Sequence, residues 1–493
     1  MKKISYIIIL FCIGFLTSCS DYLDREPKTS WSDANFFTQE SHVVGTLNGG
    51  YDMLQAALGA NFLVYGDLRA DIYVLNNKIR VTEEKVLNNA LDQTVSYASW
   101  GSFYSIIKQA NLVLYHTPKL IESKQISSTN GNNYMGQAYC MRALAYFWIV
   151  RVWGDAPLVL TPYTDGTRIV EVRKPQTEVL DTIHADLANA IKLIPSSSTD
   201  KFRFTRTAAY AIQAQTFAWQ HNWPAVITSA NKILNSTSTM PIVNANYSLV
   251  QLYDSVAAKN LTGDYLNNVM IKTEYSQMFN VGLSKESIFE MPFSIEDNEN
   301  NNSLYGMVSG TFANIKARIE FIDQYEAKDW RQFTNFWGGL NAVKFFNGTF
   351  NRNLNVRNII LFRLSETVLL KAEALVYLND TEADPIKRAA NIKAAMELVN
   401  LIRNRAGGKD LIIPESTYST LGIDQIKEIV LQERNLELAF EGHRYFDLIR
   451  TGNVAKFMEP INGQNNPLSF VWPIHLDEIR NSNGLIVQNE YYK

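Results

Sequence analysis

Residues 137–160, QAYCMRALAYFWIVRVWGDAPLVL, are the most informative part of the chain about its architecture. Between positions 138 and 153 only Arg142 and Arg151 are charged, so a helix here would be apolar on nearly every side. A helix with that composition must be surrounded by other elements. Its aromatic side chains stand at helical spacing, which favours core packing over contact with a ligand; they are Tyr146, Phe147, Trp148 and Trp153.

The same stretch predicts where this central helix stops. Gly154 supplies a position for a left-handed cap, and Pro157 forbids continuation of the helix. The chain is therefore expected to leave the helix abruptly and in an extended conformation. Cys140, in the middle of the helix, is expected to be a small buried hydrophobic residue.

Helical periodicity recurs along much of the remaining chain. Two pairs, 207–220 with 224–234 and 364–378 with 386–405, have the helix, short turn, helix layout of a tetratricopeptide-like repeat. Repeated pairs predict a mostly α-helical fold in which they form a right-handed superhelical scaffold, spanning residues 40–240 and 360–455. Further helices are predicted within 43–58, 100–115, 177–194, 424–440 and 445–450.

Other segments lack this periodicity. Residues 61–79 are predicted to form a long loop, and the polar run 127–133 to separate two helices. Residues 286–294 alternate apolar and polar side chains, which predicts a short strand. We therefore expect one domain, residues 19–493, whose irregular, loop-rich subdomain with short strands comprises about 241–350 and the loop 61–97.

Charge and cysteine usage exclude some classes of function. The net charge of -3 provides no basic excess for neutralising phosphates, so no nucleic-acid partner is predicted. Two of the three cysteines, Cys12 and Cys19, lie in the N-terminal segment, so no disulfide framework is available.

The N-terminal segment predicts the location of the protein. Lys2 and Lys3 precede an apolar run, residues 4–16, which has the layout of a secretory signal peptide, residues 1–18. The run ends in Leu-Thr-Ser-Cys, residues 16–19, which resembles the bacterial lipobox. That resemblance implies cleavage before Cys19 and acylation of its sulfur with fatty chains such as palmitate, which anchor a protein firmly in the outer membrane.

Motifs of catalytic and metal sites are missing from the sequence. It contains neither HExxH nor GxSxG, and its six histidines show no metal-ligand spacing, so no catalytic residue, metal or cofactor is predicted. Glu433, Glu437 and Glu441 lie one turn apart on one helix face, as a glycosidase acid pair could. Arginines crowd the same region, so structural ion pairs are the favoured interpretation of this stripe and of His443, and a glycosidase stays the alternative.

The irregular segments suit a binding protein. A neutral sugar is bound by flat aromatic faces together with Asn, Asp and Arg at its hydroxyl edges. Residues 61–97 and 294–345 contain that mixture. A peptide could use the same side chains.

Seven segments along the chain, taken together and in order, are informative. They are AYCMRALAYFWIVRVWGDAPLVL, RTAAYAIQAQTFAW, ESIFEMPFS, FRLSETVLLKAEAL, NLIRNRAGG, QERNLELAFEGHRYFDLIRTG and WPIHLDEIRNSNGLIVQNEYY. In that order they resemble landmarks of the SusD/RagB family of outer-membrane nutrient-binding lipoproteins. The resemblance implies a helical scaffold with an irregular ligand-binding subdomain, and a SusC-like TonB-dependent transporter to which the lipoprotein delivers its ligand. Family ligands are mostly glycans, and in the RagB branch peptides.

The resemblance also implies where the ligand binds. In sugar-binding members the aromatic platform comes from the loop after the first helix and from a loop in the middle of the chain. The corresponding ligand-binding residues here are expected to be Tyr65, Arg69, Asp71, Tyr73, Asn77, Tyr305 and Trp337. Tyr73 and Tyr305 would be the stacking faces, and Arg69, Asp71 and Asn77 the hydroxyl partners. The predicted protein is a surface-facing lipoprotein that binds a glycan without cleaving it; a peptide-binding relative and a pure assembly scaffold are the other hypotheses.

Overall fold

The computed structural model describes residues 36–76, 81–162, 171–234, 249–250, 273–294, 299, 302–308, 313–337, 341–342, 344 and 357–493. The predicted signal peptide, Cys19 and Asn77 lie outside these residues. So does most of the first part of the expected irregular subdomain, residues 241–272.

Helices make up most of the described chain, as predicted. None of them, within the described residues, is long and apolar enough to cross a bilayer. In chain order they are α1 Glu40–Leu58, α2 Asn61–Gly66, α3 Val81–Leu87, α4 Gly101–Glu122, α5 Ser128–Trp153, α6 Gln176–Leu193, α7 Arg206–Trp219, α8 Trp223–Leu234, α9 Glu274–Asn280, α10 Asn302–Val308, α11 Ile319–Ile322, α12 Arg331–Asn335, α13 Leu364–Leu378, α14 Pro385–Gly407, α15 Glu415–Tyr418, α16 Ile423–Glu437, α17 Arg444–Arg450, α18 Val454–Asn462 and α19 Leu476–Arg480.

The central helix α5 is longer than the sequence predicted. It begins at Ser128, because the Ser127 hydroxyl accepts a hydrogen bond from Asn130 N at 3.1 Å and caps it. The polar run 127–133 is thus its cap and first turns, and not a separator. Residues 140–153 are all buried, including the four aromatics and Cys140, which confirms the predicted core role. The helix ends as predicted at Gly154, whose φ is +78°.

Neighbouring helices enclose α5. The helices α4 and α6 pack on it, α1 packs on α4, and the predicted pairs α7 with α8 and α13 with α14 also pack together. One of the two charges on α5 is paired inside this bundle, because Arg142 Nη2 lies 2.6 Å from Asp186 Oδ1 of α6. Pairing is what permits a buried charge in a helix that has no exposed side.

Four short antiparallel ribbons interrupt the described helices. Strand β4, Ser287–Met291, confirms the strand predicted within 286–294 and pairs with β8, Ile359–Arg363. Both strands are entirely buried. The other ribbons join β1 Tyr73–Leu75 to β5 Ile315–Ala317, β2 Ala156–Pro157 to β3 Arg173–Lys174, and β6 Phe336–Trp337 to β7 Asn341–Ala342.

The predicted loop 61–79 is largely ordered secondary structure. Helix α2 and strand β1 lie within it, and the apolar run 62–65 is buried. That prediction was wrong because the mixed polar residues around the run suggested solvent exposure. The structure instead gives those polar residues buried partners.

The chain reverses direction directly after α16. We call residues 438–443 the reversal turn; Phe440 and Gly442 both have positive φ there, +67° and +79°. The predicted helix 424–440 therefore ends earlier, at Glu437. Gly66, at the end of α2, lies against this turn so closely that a Cβ on Gly66 would be 1.8 Å from Gly442 O.

Gly66→Ala is expected to destabilise the fold by about 2 kcal/mol or more, because the added methyl group would have to displace the backbone of the reversal turn. The measurement is urea-induced unfolding followed by circular dichroism. Gly45→Ala, inside α1 with no atom within 4 Å of the new Cβ, is the matched control. It should gain up to about 1 kcal/mol from helix propensity, and equal stability of the two variants would contradict the close contact.

Candidate functional site

The two segments expected to carry the ligand site lie side by side. Strand β1 of the first segment pairs with β5 of the second, with Tyr73 opposite Ala317 and Leu75 opposite Ile315. Beyond the paired residues, Asn76 Nδ2 donates to the carbonyl oxygen of residue 313 at 2.8 Å. Residues more than 200 positions apart in the chain are thereby joined into one ribbon.

One face of this ribbon is partly open to solvent. Val74 is 38% exposed and stands opposite the half-buried Lys316. Helix α10, which carries the half-buried Tyr305, is tied to the ribbon because Asn314 N donates to Met307 O at 3.0 Å. We call Val74, Lys316 and Tyr305 the ribbon face; its aromatic, aliphatic and cationic groups could contact a sugar ring and its hydroxyls.

The structure does not offer the two tyrosines of the first segment to a ligand. Tyr65 is 2% exposed, and its ring packs among the rings of Trp153 and Trp472 while its hydroxyl donates to Tyr97 O. Tyr73 is 1% exposed. Successive side chains of a strand face opposite sides, so Tyr73 points into the core and Val74 points outward. The predictions that Tyr73 is a stacking face and that Tyr65 binds ligand are therefore wrong, because both rings are buried.

Arg69 and Asp71 are likewise buried in structural contacts. The Arg69 guanidinium donates to Ser469 O at 2.6 Å and to Phe470 O at 3.0 Å, which ties α2 to the C-terminal region. Asp71 accepts two hydrogen bonds from Arg444, at 2.7 and 2.8 Å. Their predicted role as hydroxyl partners of a sugar is corrected accordingly, since both side chains already have partners in the interior.

Two further residues expected at the site are Asn77 and Trp337. Asn77 lies outside the described residues. Trp337 is placed by its backbone, which pairs with Asn341 in the β6–β7 ribbon. Of the sequence-predicted aromatics with a described side chain, Tyr305 is the one that keeps part of its surface accessible.

Family models match both halves of the chain. A model described as the SusD family matches residues 313–492, and one described as starch-binding, associating with the outer membrane, matches residues 21–218. SusD-like protein P38 of Formosa agariphila is 29% identical over 96% of this chain and 97% of its own length. Together these matches support a SusD-like family for the chain.

Solved structures show the same fold. A SusD superfamily protein from Bacteroides thetaiotaomicron is 21% identical, with a TM-score of 0.71 over 93% of this chain and 99% of its own. A laminarin-binding SusD-like protein is 22% identical, with the same TM-score over 92% of this chain and all of its own. The mostly α-helical class predicted from sequence is thereby confirmed.

In this SusD-like chain the acidic side chains, Glu433 and Glu437 of α16 and Glu441 of the reversal turn, form an internal ion-pair network, as favoured from the sequence. Arg363 lies 2.6 Å from Glu437 and 2.6 Å from Glu441. Arg331 lies 2.7 Å from Glu433. All five side chains are at most 2% exposed, so these carboxylates do not flank an open site as the acids of a glycosidase must.

The arginines keep Glu437 ionised despite its burial. Burial by itself would raise the pKa of Glu437, but Arg405, Arg363 and Arg331 hold that pKa well below its usual range. His443, in the same region, is half-buried, and desolvation lowers its pKa to about 3, so it is neutral at physiological pH. No group of three or more potential metal-ligating side chains occurs among the described residues.

Lys344 pins the end of the β6–β7 segment to the reversal turn. Its ammonium lies 2.5 Å from Glu441 Oε1 and donates to the carbonyl oxygens of Glu437 and Ala439 at 2.8 and 3.1 Å. Burial lowers the pKa of Lys344 to about 8, although Glu441 opposes that shift. The segment carrying Trp337 is thus held on both sides, by Arg331 before it and by Lys344 after it.

The reversal turn supports the ribbon as well, and sequence analysis missed this. Phe440, 1% exposed, packs with its ring centroid 5.4 Å from that of Tyr73 and 5.5 Å from that of Phe336. Asp67 accepts hydrogen bonds from Gly442 N and Arg444 N at 2.8 and 3.0 Å. Burial raises the pKa of Asp67 to about 7. The nearest sequence signal was the Phe-Glu-Gly-His run itself, which does not reveal what packs on it.

Glu437→Gln is expected to destabilise the fold by roughly 3–5 kcal/mol, because it removes the buried negative charge that Arg331, Arg363 and Arg405 share and leaves the network with excess positive charge. Chemical denaturation measures the loss. Glu428→Gln, on the exposed side of α16 where Glu428 pairs with Lys456, is the control and should cost less than about 1 kcal/mol. A normally stable Glu437→Gln protein that had lost hydrolysis of a polysaccharide would instead establish the glycosidase hypothesis.

Proposed function

We propose that this SusD-like chain is a surface lipoprotein of the outer membrane that binds a glycan without cleaving it. It delivers the glycan to a SusC-like TonB-dependent transporter. The observation that carries the proposal is the ribbon face, where the two segments expected to bind ligand are joined and where the helix bonded to the ribbon carries the half-buried Tyr305.

Carbohydrate as the ligand class is supported by chemistry and by relatives. The ribbon face combines an aromatic ring, an aliphatic side chain and the ammonium group of Lys316. Tyr305 supplies the flat apolar surface on which a pyranose ring stacks. One matched family model is described as starch-binding, and one structural neighbour is a laminarin-binding protein. Asn77 and Trp337 remain proposed contributors to the same site.

Binding without cleavage is supported by the state of the acidic side chains. Glu433, Glu437 and Glu441 are committed to arginine and lysine partners and are buried. A glycan at the ribbon face would be held by stacking and hydrogen bonds. Because such contacts are reversible, the intact glycan can be released to a transporter.

Location at the membrane is supported by the sequence before the described residues. The segment ending in Leu-Thr-Ser-Cys, residues 16–19, matches a lipobox, and one family model is described as associating with the outer membrane. A lipid anchor at Cys19 keeps a binding protein beside its transporter. The SusC-like partner follows from the family resemblance.

Tyr305→Ala is expected to weaken glycan binding about 5- to 150-fold, because the stacking of a nucleobase on an aromatic side chain, a comparable ring contact, is worth about 1–3 kcal/mol. Isothermal titration of the full chain in detergent, against laminarin, starch and other neutral polysaccharides, measures the affinity. Tyr115→Ala is the matched control, since Tyr115 is 40% exposed on α4, outside the ribbon face. Binding of peptides but of no glycan would replace this proposal by the peptide-binding alternative.

Cys19→Ala is expected to release the protein from the membrane fraction, because the sulfur that carries the acyl chains would be missing. Cell fractionation followed by immunoblotting measures the distribution. Cys12→Ala is the control, since Cys12 lies inside the predicted signal peptide and is removed with it. Membrane attachment of Cys19→Ala equal to that of the wild type would refute the proposed anchor.

A further inference from the structure

A cavity of about 650 Å³ lies between α1, the turn before α7 and the end of β4. Tyr51 and Asp52 line it from α1, Asp200 and Arg203 from the turn, and Glu299 from the chain after β4. It shares no residue with the ribbon face. Its volume is in the range of small-molecule sites, which run from about 300 to 1,000 Å³.

The wall between α1 and β4 is fixed by hydrogen bonds. Gln55 Nε2 donates to Pro292 O at 2.5 Å and to Glu299 Oε2 at 3.0 Å. The same carboxylate oxygen accepts from Ser294 N at 3.1 Å. These contacts join α1 to the chain more than 230 positions later, so the cavity has a wall that is formed before any ligand arrives.

Arg203 is held in place without using its hydrogen-bond donors. Its Cζ lies 4.5 Å from the centroid of the Tyr51 ring. The ring is itself fixed, because Tyr51 OH donates to Gln137 Oε1 and accepts from Phe204 N, both at 2.9 Å. Within the described part of the chain the guanidinium makes no hydrogen bond and no ion pair. A guanidinium carries five N–H donors, so this wall of the cavity offers donors that have no partner there.

Acceptors stand in the same turn. Asp200 is exposed, and one of its carboxylate oxygens accepts from Phe202 N at 2.9 Å, which orients the group. A donor group and an acceptor group in one short turn match a vicinal diol, because each hydroxyl both donates and accepts. Phe202, half-buried in the cavity wall, adds an apolar surface for a ring.

The charged side chains that line the cavity restrict the class of ligand that it can bind. Four carboxylates and one guanidinium line the cavity, so an anionic sugar would be repelled; the carboxylates belong to Asp52, Asp200, Glu290 and Glu299. A cationic ligand would also bind poorly in this cavity. Glu290 accepts from Leu283 N and Asn358 Nδ2, Glu299 is occupied by Gln55, and Arg203 would repel an ammonium group. An uncharged ligand rich in hydroxyls fits best.

We propose that this cavity is a second carbohydrate site, separate from the ribbon face, that takes a neutral sugar unit bearing vicinal hydroxyls. Arg203 donates to the hydroxyl oxygens and Asp200 accepts from the hydroxyl hydrogens. The site does not depend on the proposed role of Tyr305. A glycan chain or a short saccharide that binds here would be selected for its neutral charge.

The test is isothermal titration of the full chain in detergent with maltose, cellobiose and laminaribiose, and with glucosamine and glucuronic acid for comparison. At least one neutral disaccharide is expected to bind, and Arg203→Met to weaken that binding at least tenfold. Methionine keeps an apolar chain against Tyr51, and thermal unfolding checks the fold. Arg388→Met, on the exposed side of α14, is the matched control and should bind as the wild type does.

Two further variants, Asp200→Asn in the cavity and Tyr305→Ala in the ribbon face, distinguish the two proposed sites. Asp200→Asn keeps an oxygen for Phe202 N and is expected to weaken the disaccharide severalfold, whereas Tyr305→Ala should leave it unchanged. Disaccharide binding that is lost in Tyr305→Ala but kept in Arg203→Met overturns the second site and leaves the proposed function standing. The second site is also overturned if none of the three disaccharides binds, or if glucosamine binds more tightly than they do. Both outcomes are independent of the polysaccharide titrations, which test the ribbon face.

Discussion

The structure depends on a set of buried charges that must all be paired at once. Arg363 is held between Glu437 and Glu441, and Lys344 reaches the same Glu441 from a different part of the chain. An ion moved from water into the interior costs several kcal/mol unless its partners are in place. The network therefore tolerates essentially one arrangement of α16, β8 and the segment around Lys344, and it fixes the reversal turn that follows α16.

The reversal turn carries this constraint to the candidate site. Phe440 adopts a positive φ that is uncommon for a bulky residue, and it persists because the charges on either side hold the backbone. Its ring supports Tyr73 beneath one ribbon and Phe336 beneath another. The surface that we assign to glycan binding thus rests on a rigid base, which reduces the ordering that binding would otherwise require.

Sequence reasoning succeeded where one element alone determines the outcome, and failed where two distant elements meet. The limits of α13 and the core role of Trp148 followed from periodicity. The residues Arg69 and Asp71 could not be assigned in that way, because their partners lie some 400 and 373 positions away and composition alone made them look solvent-exposed. The same applies to the cavity, whose walls come from three separated segments.

Four features could be predicted from the amino-acid sequence: the helical class, the buried central helix, the resemblance to the family, and the role of the acidic side chains in structural ion pairs. Each depends on local spacing or on a run of neighbouring residues. Only the tertiary structure decided which side chains reach a ligand. Tyr73 and Val74 are adjacent in the chain, yet the pairing of β1 with β5 sends one into the core and leaves the other in solvent. Exposure is a property of what packs against a residue, and a sequence does not state its long-range neighbours.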